Sequence, residues 1–138
     1  MSIRVLITTL ALLIGLGGAA QADILAAGPV YGGNIPDLTG GQITCRIFNA
    51  GLTPVTINLT EIRTNTNFLV TPISNTCLTN GTNPPLGVAK YCAFNAAITG
   101  NFAYTCRINV LGTDTNIRGV AEVMGLHGEL LNALPLQK

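Results

Sequence analysis

The chain has 138 residues, 7 Lys+Arg against 6 Asp+Glu, 48% hydrophobic and 9% charged residues, and no Trp. That length fits one domain, and the balanced charge excludes the clustered Lys and Arg that a nucleic-acid or polybasic membrane surface requires. Sixteen Gly and seven Pro without a repeat exclude a collagen-like fibre, and the high apolar share excludes a disordered tail.

Arg4 is followed by an apolar run over 5–16 and by small residues ending in Ala20-Gln21-Ala22, the pattern of a cleavable secretory signal with an A-x-A site. Twelve apolar residues are too few to cross a hydrocarbon core as a helix, which takes about 20. Residues 1–22 are therefore expected to be a signal peptide and 23–138 the domain, with Asp23 first and six residues of each charge sign remaining. The cleavage site holds no Cys, so a lipid anchor is not indicated, and no later apolar run is long enough to span a bilayer. The expectation is an exported protein, periplasmic or extracellular, with no membrane span after signal cleavage. Cys45, Cys77, Cys92 and Cys106 are an even set, spaced 32, 15 and 14 apart. In an exported chain this reads as two disulfides; zinc would want pairs two to four apart.

Residues 24–31 form a first candidate strand. From 43 to 48, Ile43, Cys45 and Ile47 alternate with Thr44, Arg46 and Phe48, the period of a half-buried strand, and Asn49-Ala50-Gly51 ends it. Thr53-Pro54 opens a second alternating run, Val55, Ile57 and Leu59, expected to pair with the first as a hairpin. Pro72 limits a short run at 68–71 to an edge, and 74–85 reads as a surface loop. Val88, Cys92, Phe94, Ala96 and Ile98 share one parity, and Thr99-Gly100-Asn101 turns the chain. Phe102, Tyr104, Cys106, Ile108 and Val110 line another face, and a polar turn at 112–116 precedes 117–124. Leu126-His127-Gly128 separates that run from 130–134. No helix of ordinary length fits after residue 22, so seven or eight short strands predict an all-β antiparallel sandwich.

Four cysteines permit three connectivities, which sequence cannot decide between. Cys45 and Cys106 both lie mid-strand among inward apolar residues, so a bond between them would staple two sheets, while Cys77 and Cys92 flank the polar loop. Cys45–Cys106 with Cys77–Cys92 is the preferred pairing. Thr44-Cys45-Arg46-Ile47 recurs as Thr105-Cys106-Arg107-Ile108, and pleating sends Arg46 and Arg107 to outer faces of different sheets. They read as solvated arginines rather than a paired anion site. Glu122 is expected to meet Arg118 on its own strand or Arg107 across to a neighbour.

The stretch Cys45-Arg46-Ile47-Phe48-Asn49-Ala50-Gly51 followed by Pro54-Val55-Thr56-Ile57, then Leu86-Gly87 before Cys92 and Tyr104-Thr105-Cys106 before Ile117-Arg118-Gly119, resembles small exported bacterial immunoglobulin-like proteins of unassigned function. The likeness covers about residues 41–122. It implies an immunoglobulin-like sandwich in an exported compartment, and it carries no catalytic or binding residue with it.

Nucleophilic catalysis needs a nucleophile, a base and an orienting group within reach of one another. After residue 22 the chain has one Ser, Ser74, and one His, His127, in separate predicted turns. No Cys-x-x-Cys supports thiol exchange, and the carboxylates Asp23, Asp37, Glu61, Asp114, Glu122 and Glu129 form no recognisable acid–base pair. Met124 and His127 offer copper a thioether and an imidazole, two ligands where more are needed. The expected function is therefore non-enzymatic: a structural or protein-interaction module of the cell envelope, without cofactor or catalytic residue. Its partner is expected to be another envelope or extracellular protein, and edge strands near the termini are candidates for β-augmentation. The alternative is a small-ligand or copper binder using Met124 and His127.

Overall fold

A computed structural model describes residues 22–31, 40–78, 84–112 and 116–138. The expected signal peptide, apart from its last residue, and Asp37 and Asp114 lie outside the described residues. Among those described there is no helix; the elements are ten antiparallel strands. They are β1 (Ala22–Ala27), β2 (Val30–Tyr31), β3 (Gln42–Asn49), β4 (Thr56–Thr64), β5 (Leu69–Val70), β6 (Ser74–Asn75), β7 (Tyr91–Ala97), β8 (Ala103–Leu111), β9 (Ile117–Met124) and β10 (Leu130–Gln137).

Pairing runs in the order β5-β4-β8-β1-β10-β9-β3-β7-β6, with β2 also on β8. The strands thus make one curled sheet whose two halves, β5-β4-β8-β1 and β10-β9-β3-β7-β6, are joined where Ala26 and Ala27 pair with Gln137 and Leu136. Alternation places one face of each half inside. Ile43, Cys45, Ile47, Phe94, Ala96, Ala121 and Val123 come from one half, and Leu25, Ile57, Ile62, Tyr104, Ile108 and Val110 from the other. Burying each such Val, Leu, Ile or Phe side chain contributes about 1.5–3 kcal/mol.

The Cys45–Cys106 bond crosses from β3 to β8, and Cys77–Cys92 ties the segment after β6 to the start of β7. This is the preferred pairing from the sequence reading, and no cysteine is left free. Two intramolecular disulfides fit an oxidising, exported environment.

Several expectations are corrected. The 43–48 and 53–60 runs do not form a hairpin: β3 pairs with β7 and β9, and β4 with β8 and β5. The cause is at Asn49, which is fully buried. Its side-chain amide donates to Thr53 O (2.8 Å) and Leu86 O (2.9 Å), and its Oδ1 accepts from the Gly51 N–H (2.8 Å). These bonds hold the connection in a crossover from one half to the other, in place of a hairpin turn. The expected loop at 74–85 includes the short strand β6, which pairs with Asn95 and Phe94 of β7. Val88 is exposed in a turn before β7 instead of sharing the inward face of Cys92 and Phe94. The terminal strands are not open edges along the path: β1 lies between β8 and β10, and β10 between β1 and β9.

The two ends of the pairing path, β5 and β6, are consecutive in sequence, so the chain steps from one edge of the curled sheet to the other between Val70 and Ser74. The seam is crossed by Asn75 Nδ2 donating to Thr60 Oγ1 (2.8 Å) and by the Val55–Leu86 bridge. At the far turn the buried Tyr104 hydroxyl donates to Thr99 O and accepts from the Thr99 N–H, both at 2.8 Å.

Candidate interaction face

The outward residues of β9, β3 and β7 form rows across the sheet, because antiparallel partners directly opposite share a face. Phe48 lies opposite Arg118 and Tyr91, Arg46 opposite Val120 and Ala93, and Thr44 opposite Glu122 and Asn95. The first two rows line an apolar groove of about 480 Å³, walled by Phe48, Tyr91 and Val120 and flanked by Arg46 and Arg118. Tyr91 is 72% exposed and Phe48 41%. Two aromatic rings side by side on a solvent-facing sheet need a reason, since apolar surface gains by leaving water.

Gly119 lies on the opposite side of β9 from that groove's side chains. A Cβ there would stand 2.9 Å from Arg46 O and 3.0 Å from Leu136 Cδ1. The missing side chain lets β3 and the buried Leu136 close in beneath the groove floor.

Next to the groove lies a more polar depression of about 370 Å³, bordered by Gln42, Thr44, Arg46, Asn95 and Met124. Asn95 Nδ2 donates to Gln42 Oε1 (2.9 Å), while Asn95 Oδ1 is buried without a hydrogen-bond partner. Arg46 Nε donates to Glu122 Oε2 at 2.7 Å. Glu122 therefore meets Arg46 in place of the expected Arg118 or Arg107: Arg46 of β3 sits opposite Val120, in the row between Arg118 and Glu122, and β8 with Arg107 is not beside β9.

Arg107 stands on the outer face of the other half, 3.8 Å from Glu61 Oε2. Glu61 also accepts a two-pronged bond from Arg63, Nε to Oε2 at 2.9 Å and Nη2 to Oε1 at 3.0 Å. The Arg63 hydrogen bonds hold the Glu61 carboxyl below its ordinary value against the opposing effect of burial, with the Arg63 and Arg107 charges adding to the same direction. Arg46 and Arg107 thus have separate carboxylate partners on separate halves, which leaves no paired-arginine anion site.

Met124 ends β9, half-buried at the rim of the polar depression. His127 is exposed in the β9–β10 turn, where its backbone N–H donates to Glu129 Oε2 (2.9 Å). Among the described residues no group of three or more His, Cys, Asp or Glu is placed to hold a metal ion. Ser74 lies in β6, and no hydrogen bond joins it to His127 among the described residues.

The alternation over 43–48 puts Phe48 on the outward face, and nothing in the sequence singles out Tyr91 as its neighbour. Their outward parity opposite Cys45 and Cys92 was readable, but their adjacency depends on β3 and β7 being partners. Tyr104 and Asn49 were also missed as anchors, although Tyr-x-Cys and Asn-x-Gly are signals of local hydrogen bonding. Comparison of the chain with protein-family models, with curated proteins and with solved structures found no match.

Proposed function

We propose that this chain is an exported, immunoglobulin-like, non-enzymatic interaction module of the cell envelope, and that it holds a partner protein in the groove between Tyr91, Phe48 and Val120. The observation that carries the proposal is the exposed Phe48–Tyr91 pair with arginines at its flanks. Tyrosine and arginine are among the residues enriched where protein partners are gripped, the ring supplying apolar area at small entropic cost and the guanidinium a planar set of donors.

Support for the immunoglobulin-like part comes from three features. A disulfide links mid-strand positions of the two halves, a tyrosine stands two residues before its second cysteine, and that tyrosine's hydroxyl bonds to backbone a few residues upstream. Export is supported by the signal-like first segment and the two disulfides.

The test is site-specific photo-crosslinking in the native envelope. A photoreactive side chain replacing Tyr91 is expected to give one discrete protein adduct. The same group replacing Leu59, on the outer face of the other half, should give none. Equal adducts from both positions, or none from 91, would remove the groove as the contact site.

A further inference from the structure

β1 and β2 form an N-terminal arm that runs the length of β8. Ala22 to Ala26 pair with Leu111 to Arg107, and after the break at Gly28-Pro29, Val30 and Tyr31 pair with Tyr104 and Ala103. No strand pairing joins the arm to β3–β7, the elements that follow it in sequence. Both disulfides lie within residues 45–106, so the oxidised body is tied together without the arm. The arm is nonetheless part of the core: Leu25, Ala27 and Val30 are 4%, 1% and 0% exposed. It fills a slot with β8 on one side and β10 on the other; its strand pairing with β10 is confined to Ala26 and Ala27, and β2 packs against β10 and β9 without pairing to them.

Taking the arm out would uncover that apolar row and leave β8 without its partner on that side, so the slot demands a strand. The identity of the molecule supplying it is indifferent to these contacts. The eight residues 32–39 connect the arm to Gly40 and reach at most about 28 Å when extended. A linker of that length lets the arm return to its own body or lie on a neighbour, the balance being set by protein concentration against effective concentration.

We propose that the arm exchanges between copies, so that β1 and β2 of one molecule fill the β8/β10 slot of a second copy of this chain and the exchange is returned, giving a strand-swapped dimer. Simple addition of a strand to a terminal edge is a different arrangement, because β1 already occupies that place.

Ile24 and Asn109 are opposite each other on the outer face, Ile24 is 46% exposed, and Asn109 Oδ1 has no hydrogen-bond partner to lose. The full chain carries no free cysteine, so Ile24→Cys and Asn109→Cys each add a single thiol. The two variants are unfolded together in denaturant with their native disulfides intact, refolded together at high protein concentration, and mildly oxidised. The expected product is a covalent heterodimer whose linked peptides contain positions 24 and 109, in several-fold higher yield than from Ile24→Cys refolded with Leu52→Cys. Leu52 is 92% exposed and is paired with no residue of the arm, so that pair measures collision without the slot. Equal yields from the two pairs would overturn the exchange.

Discussion

Asn49 uses both ends of its amide on backbone groups of two different segments, and it is wholly shielded from water. Asn49→Ala leaves Thr53 O, Leu86 O and the Gly51 N–H without that partner, and each stranded buried group costs about 1–3 kcal/mol. The expected loss is about 3 kcal/mol, read as a lower urea midpoint with unchanged slope. Asn49→Asp keeps the acceptor and forfeits the donors while burying a charge, so its deficit should be no smaller at neutral pH and should narrow in acid. Glu61 makes an opposite kind of contribution. Its folded-state carboxyl titrates below its unfolded value, so the stabilisation is present above the unfolded value and disappears as pH falls through the folded one. Stability of the wild type is expected to drop more steeply than that of Glu61→Gln across that acid window, by less than about 1 kcal/mol because both partner arginines remain partly exposed to solvent. Parallel pH profiles for the two proteins would contradict this assignment.

At the scale of strands, the alternation within β3, β7 and β8 was legible because side-chain direction reverses at every residue, whereas in β4 the bulge between Ile57 and Leu59 turns Leu59 outward, against the expected parity. The burial of Ile43, Cys45 and Ile47, and of Tyr104, Cys106, Ile108 and Val110, follows that parity. Partner choice was not legible. β3 and β4 are adjacent in sequence with a turn-rich connection, yet they lie in different halves, since Asn49 fastens that connection to Leu86 on a distant segment. Two substitutions probe this level. Gly119→Ala places a methyl against Arg46 O and Leu136, and overpacking of this kind is expected to cost about 1–3 kcal/mol, measurable by denaturation. Tyr104→Phe keeps the buried ring but removes both hydrogen bonds to Thr99, with an expected loss of about 1–2 kcal/mol and faster amide exchange at Thr99.

Over the whole molecule, the disulfides act on loops of very different length. Cys45 and Cys106 are 61 apart in sequence and Cys77 and Cys92 are 15 apart. Chain-entropy reasoning gives about 4 kcal/mol for the longer loop and about 3 for the shorter. Replacing Cys45 and Cys106 together by Ala is therefore expected to lower stability more than replacing Cys77 and Cys92, a ranking that paired denaturation curves in oxidising buffer would check. The longer bond also spans the interior between the two halves, so its loss is felt in the core as well as in the unfolded chain.

The amino-acid order by itself determined the all-β class, the inward and outward faces of β3, β7 and β8, and the turn between β9 and β10. These depend on local stereochemistry and on period-two burial, which are written along the chain. Only the tertiary structure decided that β1 sits between β8 and β10, that β9 lies beside β3, that Glu122 meets Arg46 and that Phe48 and Tyr91 become neighbours. Pairing between strands tens of residues apart is a competition among many similar apolar faces. It is resolved by the simultaneous fit of buried groups such as Asn49, Tyr104 and Gly119, which no single stretch of sequence contains.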